Sequence, residues 1–438
     1  MLRHALAPHR PGERNAWHGL AFIAGALSVC VASASAAQAQ GNGVLVGEGR
    51  LHAQIGAETH EIFNPGYQLR GQETSDIMLV VKPKATYELG SDQLTLKSNA
   101  VVEYRRYLGY VTKDTTGLST FAGTFDLALG LNQLGDVPVT LAEQVVRAAD
   151  AGNQSITTPL RHTSSTTGIS LQVKPGGGAL LFDASYGLFY DRYDRSGNPA
   201  YLPSQVYGTP PVPGEAPVPI ATNLDTLRQT PSVKSTWKFL PRTGLFLEAR
   251  GVLASYPGNG GANQSMSILL AEAGAVGSVT GKLSVLLKAG YGDTFLSSTD
   301  NFRSVIGQAE LTYELTSAAK LRVGFLRTVQ PVTLFKYFAL MRPYAEFEAM
   351  LFGTTAVQVK ARYDIMDFGA PRLSTIPQTS RHDANLGATL AVEHRFRDWL
   401  SVSLSDTLTL HSSQYKANND AGADYTVNDV MLSAALLY

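Results

Sequence analysis

The chain has 438 residues, with 36 basic and 36 acidic side chains, a formal net charge of +0 and a hydrophobic fraction of 44%. Balanced charge offers no footprint for a nucleic-acid partner, and the lone cysteine, Cys30, excludes a disulfide framework. Past residue 39 no run of about 18 apolar residues occurs, so no helix spans a bilayer. A β-barrel is the one membrane architecture left, because half of each of its strands faces water.

The first 39 residues read as a cleaved signal peptide. Arg3, Arg10 and Arg14 form a basic start, residues 20–31 an apolar stretch, and Ala37-Gln38-Ala39 a small-x-small cleavage site. The expected mature chain starts at Gln40, without cysteine, and residues 40–48 make a short periplasmic lead-in to a barrel over 49–438. The Leu27-Ser28-Val29-Cys30 stretch is a poor lipoprotein signal, because Val29 stands where a small residue is needed.

From residue 49 onward, alternating segments break at short turns and at longer polar loops by turns. The strands expected are 49–60, 77–88, 93–108, 117–132, 136–149, 162–174, 178–194, 223–240, 244–256, 264–279, 282–296, 303–316, 319–330, 336–352, 354–366, 382–396, 399–412 and 425–438. Short breaks such as Gly135-Asp136, Thr280-Gly281 and Arg397-Asp398 alternate strictly with longer ones near 61–76, 195–222 and 367–381. Short turns belong on the periplasmic side and long loops outside. The expectation is an all-β, transmembrane, antiparallel up-and-down barrel of 18 strands, integral to the bacterial outer membrane. Sixteen is the alternative, if the first and fifth strands fail.

Facing follows from alternation. Phe121, Phe125, Leu127, Leu129 and Leu131 share one parity, against Thr124 and Asp126 on the other. In the last segment Val430, Leu432, Ala434, Leu436 and Tyr438 share one parity. Charge on the lipid face costs about 2–4 kcal/mol near the midplane, so ionised strand residues should point inward. This rule nominates Lys97, Glu103, Arg105, Glu310, Glu314, Lys320, Arg322, Lys336, Arg342, Glu346, Glu348, Lys360, Arg362, Asp364, Glu393 and Arg395 as pore-lining candidates. Glu143 and Asp406 fall on the apolar parity, where a register slip or a bulge is expected. The loop 195–222, with seven prolines from Pro199 to Pro219, is a candidate constriction or a stiff surface loop.

Several phrases resemble a family of outer-membrane β-barrel porins encoded with bacterial capsule and exopolysaccharide export systems. They are Arg50-Leu51-His52, Ser75-Asp76-Ile77-Met78-Leu79-Val80-Val81-Lys82-Pro83, Tyr104-Arg105-Arg106-Tyr107-Leu108-Gly109 and Pro175-Gly176-Gly177-Gly178-Ala179-Leu180, all in the first half. The resemblance implies a pore for a secreted polysaccharide and a periplasmic polysaccharide-export protein as partner, and it brings no catalytic residues. Outer-membrane lipid and lipopolysaccharide would surround the barrel. A general solute porin and a closed structural or adhesive barrel are the alternatives. No cofactor or metal is expected. Among His52, His60, His162, His382, His394 and His411, His411 near the outer rim is the candidate for one arm of a catalytic triad, and an enzyme is the least favoured class.

Overall fold

The computed structural model describes residues 43–438 apart from 69, 72, 92, 110–118, 151–158, 195–223, 258–264, 297–300, 334, 372–380 and 415–423. The leader expected over 1–39 and the proline-rich loop 195–222 lie outside the described residues. Among the described residues nineteen strands follow in chain order: β1 Val44–Val46, β2 Gly49–Phe63, β3 Ser75–Gly90, β4 Leu94–Tyr107, β5 Thr120–Leu131, β6 Val139–Asp150, β7 Leu160–Val173, β8 Leu180–Tyr193, β9 Thr226–Leu240, β10 Thr243–Ser255, β11 Met266–Ser278, β12 Leu283–Asp293, β13 Arg303–Thr316, β14 Ala319–Pro331, β15 Tyr337–Leu351, β16 Thr355–Phe368, β17 Arg381–Arg397, β18 Leu400–Ser413 and β19 Tyr425–Leu437. Strands β2 to β19 form a closed 18-strand antiparallel barrel, each paired with its sequence neighbour, and β19 closes on β2.

The stub β1 is the one strand that alternation did not show. It pairs Val44 with Leu51 and Val46 with Gly49, on the edge of β2 that β19 leaves free. Above it, Leu437 pairs with Gln54, and Tyr438 exchanges backbone hydrogen bonds with Ala53. Two segments thus share one edge, and no ladder group of β2 is left open at the seam.

Paired residues share a face, so the register assigns every strand position. On the outer face Ile55, Val81, Val102, Phe121, Ile169, Phe182, Val233, Leu247, Val305, Leu390 and Leu432 are all exposed. Trp237, Phe239, Trp399 and Tyr438 gather at the short-turn end, and Tyr104, Phe121 and Tyr190 nearer the other. An apolar outer band between aromatic girdles is the surface of an integral outer-membrane protein. At the turn between β15 and β16, Phe352 and Gly353 both take positive φ (53° and 72°), a conformation that glycine adopts without strain.

One hairpin departs from the wall. β13 stays paired with β12 up to Arg303, but its pairing with β14 stops at Gly307 and Arg327. Beyond that point the ends of β14 and β15, still paired with one another, fold into the barrel. Here β14 touches β11, three strands away in the ring. Arg327 reaches back from the departure point to donate to Ser304 Oγ at 2.8 Å.

The folded-in hairpin is apolar on both sides. On one side Val329, Tyr337 and Ala339 pack on Val252, Met266, Ile268, Leu270 and Ile306 from the inner faces of β10, β11 and β13, with Phe302 beside them. On the other, Phe335, Phe338 and Leu340 join Met366 and Phe368 and meet Leu160, Tyr193 and Leu224 across the lumen. A fully buried side chain of this size is stabilised by about 1.5–3 kcal/mol, so the two clusters hold the hairpin firmly.

Candidate functional site: the luminal wall and its constriction

Each luminal charge on β13 to β16 sits on a rung running across several strands. Glu314, Lys320, Glu348 and Gln358 form one rung, and Arg322, Glu346 and Lys360 the next. Signs alternate along a rung, and cross-strand neighbours therefore pair. Lys320 Nζ lies 2.6 Å from Glu348, Arg322 Nη1 2.7 Å from Glu346 and Lys360 Nζ 3.0 Å from the same Glu346. Gln358 donates to both glutamates, at 3.3 and 3.2 Å.

Higher up, Gly324 faces Tyr344 and Tyr344 faces Arg362. A Cβ at Gly324 would collide with the Tyr344 ring, so the missing side chain is what lets the tyrosine lie across β14. Its hydroxyl then donates to Glu310 at 2.5 Å, and Gln308 donates to the hydroxyl at 3.2 Å. Arg342 grips the fully buried Asp364 with two hydrogen bonds, of 2.5 and 2.8 Å, while Arg362 stands 3.9 Å from the same carboxylate.

The remaining sequence candidates also carry luminal parity. Lys97 lies 3.9 Å from Glu88 and is largely exposed to the lumen. Glu103 takes Arg105 at 2.6 Å and Lys82 at 3.3 Å, and Lys82 is also 3.3 Å from Glu58. Arg395 approaches Glu393 at 3.8 Å. Lys336 is not a wall residue: it sits in the tip of the hairpin, where its backbone N–H donates to Ala370 O at 2.9 Å.

Sequence reasoning passed over a third charged sector, on β9 to β12. Lys234, Glu248 and Glu272 share a rung, and Lys288 stands beside it. Lys288 Nζ and Glu272 pair at 2.9 Å with side chains only 5% and 6% exposed, and Arg250 pairs with Glu248. The inward-parity rule, applied to these four strands, would have found them.

Two expectations are corrected by the register. Neither a slip nor a bulge occurs at Glu143 or Asp406: β6 and β18 pair without interruption through both, and both face outward. Glu143 tolerates that face because the hydroxyls of Ser165 (2.6 Å) and Thr167 on β7 both donate to it. Asp406 sits between Leu390 and Val430, and nothing in the structure explains it.

At the extracellular end the wall binds the hairpin tip. Tyr256 donates its hydroxyl to Val332 O at 3.1 Å, and the hydroxyls of Thr226 and Thr333 lie 3.3 Å apart. The Arg381 guanidinium lies 4.7 Å from the Phe368 ring and 5.5 Å from that of Phe335, while pairing with Asp383 at 2.6 Å. Asp383 also takes the Ser413 hydroxyl, and His411 Nε2 is 3.5 Å away, stacked on Tyr425 at 4.6 Å. The carboxylate, not the imidazole, holds the serine, which is not the order of groups that activates a nucleophile. Among the described residues no cluster of His, Cys, Asp and Glu could hold a metal ion.

No protein-family model matches the chain, and no curated protein matches it. Similar folds occur among solved structures. OccK3 (OpdO) of Pseudomonas aeruginosa shares 9% identity over 88% of this chain and 96% of that one, with a TM-score of 0.43. OpdK of the same organism, solved with vanillate, shares 9% over 89% and 99%, with a TM-score of 0.44. The ferric enterobactin receptor PfeA, also from Pseudomonas aeruginosa, shares 8% over 88% and 80%, with a TM-score of 0.44. At such identities and scores these likenesses carry no functional weight.

Proposed function

We propose that the chain is a passive outer-membrane channel for small hydrated solutes, narrowed near its outer mouth by the hairpin of β14 and β15. The observation that carries this reading is the hairpin itself. Barrels of 16 to 18 strands are wide enough to leave an aqueous channel unless something fills them. Here one wall element enters the lumen, and it rests on the β7–β13 side. Any passage then runs between the hairpin and the inner faces of β17, β18, β19, β2 and β3, past Asn385, Thr409, Asp429 and His60 and beside the apolar cluster of Ile62, Met78 and Val80.

The charges below the constriction are mutually paired and of both signs, so the lumen is polar without a strong net field. That favours permeation of water-clad solutes over selection by charge. Export of a polysaccharide, with a periplasmic export protein as partner, stands behind this reading, because apolar packing crosses the lumen where a polymer would have to thread. A catalytic role has less support still, since the polar groups at the rim are engaged in holding the hairpin.

The test is single-channel recording of the purified protein in planar bilayers under a potassium chloride gradient. A steady conductance without any partner, with a reversal potential near zero, is expected. A barrel that inserts and folds but never conducts would contradict the proposal and move the chain to the closed structural class.

A further inference from the structure

The outer surface carries a second arrangement that the channel reading does not use. On β4, β6, β7 and β8 four arginines face outward at the extracellular end. Arg147, Thr163 and Arg192 share one rung, Arg161 lies on the next rung toward the loops, and Arg106 is the penultimate residue of β4. Arg161 Nη2 reaches across β6 to donate to Ser119 O at 3.2 Å, and Ser119 also binds the backbone N–H of Tyr107, next to Arg106. The four arginines thus span one sector of the rim, from β4 to β8.

Among the described residues Asp194 is the one carboxylate that meets this patch, and it is engaged by Arg147 at 2.6 Å. Arg106 and Arg192 are exposed and have no ion pair or hydrogen bond among the described residues. Several other outward charges at this rim are neutralised in place or acidic. Arg303 pairs with Asp293 at 3.1 Å and His382 with Asp367 at 2.5 Å, while Glu61 on β2 is acidic and exposed. Among the described strand residues, the largest cluster of positive charge at this rim is thus in this sector.

Directly below it, on the same outer face, lies an apolar footing. Tyr104, two residues below Arg106 on β4, packs on Phe121 with ring centroids 5.0 Å apart, and Tyr190, two residues below Arg192 on β8, is exposed. Cationic forks above a band of exposed aromatic and aliphatic side chains match an amphiphile with phosphate groups at the headgroup level and acyl chains beneath. Arginine suits that task because its planar fork takes two phosphate oxygens at once.

We propose that this sector is a binding site for a phosphorylated glycolipid of the outer leaflet, with Arg106 and Arg192 as its free phosphate ligands and Arg147 and Arg161 as held flanking charges. The site commits to lipid rather than free phosphate, because the cationic groups sit at the top of the lipid-facing band and not in the lumen. It stands independently of what the channel carries.

The experiment purifies the full chain from lipopolysaccharide-containing membranes in mild detergent and counts lipopolysaccharide retained per barrel by native mass spectrometry. The variants are the pair Arg106→Glu with Arg192→Glu and, as a control on another wall, Arg303→Glu. Each is first checked for the folded, heat-modifiable band on a gel. The double variant should retain at least about thirtyfold less lipid, the factor that corresponds to roughly 1 kcal/mol for each of two basic residues near an anionic surface, and Arg303→Glu should retain as much as the parent chain. Retention unchanged in the double variant, or reduced equally in the control, would overturn the proposal. Inorganic phosphate added to the parent protein should displace little of the lipid, and complete displacement by phosphate alone would overturn the lipid assignment.

Discussion

The lower and upper halves of the lumen are built from the same strands on opposite principles. Below, between Glu314 and Arg342, the inner face is a lattice of cross-strand ion pairs. Above, Phe335, Phe338, Leu340, Met366, Leu160 and Tyr193 meet across the barrel and exclude water. The difference lies in what each segment has behind it. A wall strand has one wet and one lipid face, so its inner residues are polar. The hairpin end has protein on both faces, and its residues are apolar on both parities, as in any strand buried on two sides.

This contrast is sharpened first in the lower half. Replacing Lys288 with Met strands the buried Glu272 carboxylate without its cation. Breaking such a pair from one side costs about 3–5 kcal/mol, so the folded barrel should denature at markedly lower urea in detergent. The double change Lys288→Met with Glu272→Leu should recover most of the loss, because the desolvation of both charges disappears together. A single variant as stable as the parent would show that the pair is wet and the lattice weak.

A smaller effect is expected at Gly324. Valine there must push the Tyr344 ring off β14 and separate its hydroxyl from Glu310. The loss should be about 1–2 kcal/mol, that of one charge-assisted hydrogen bond with some repacking. Tyrosine fluorescence and the denaturation midpoint should shift together, and Gly324→Ala should show a milder version. Equal stability in both variants would show that Tyr344 has another place to go.

Much of this molecule was legible in its alternation. The strands that close the barrel could be counted because charges such as Arg322 and Lys360 recur at every second position opposite bulky apolar neighbours. Three features resisted. β1 is too short to alternate, and its pairing depends on where β19 ends. Glu143 sits on the lipid parity because two hydroxyls come from the next strand, a contact invisible along the chain. Composition drew attention to the proline-rich loop 195–222, a candidate constriction or stiff surface loop that lies outside the described residues, whereas the hairpin that enters the lumen has only a short connection between β14 and β15. Its signal was present: from Phe335 to Met341 both parities are apolar apart from Lys336, a loss of alternation that a wall strand would not tolerate.

The central claim is that this hairpin is the narrowest part of the passage. It is tested most directly by replacing residues 329–339 with Asn-Gly, a two-residue turn suited to joining Thr328 to Leu340, which face one another in the ladder. Single-channel conductance and the size of polymer excluded from the pore would be measured before and after. The account predicts a severalfold rise in conductance and a larger exclusion size, with the ion-pair lattice below unchanged. Conductance and exclusion size that stay at the parent values in a folded barrel would contradict it and place the constriction elsewhere.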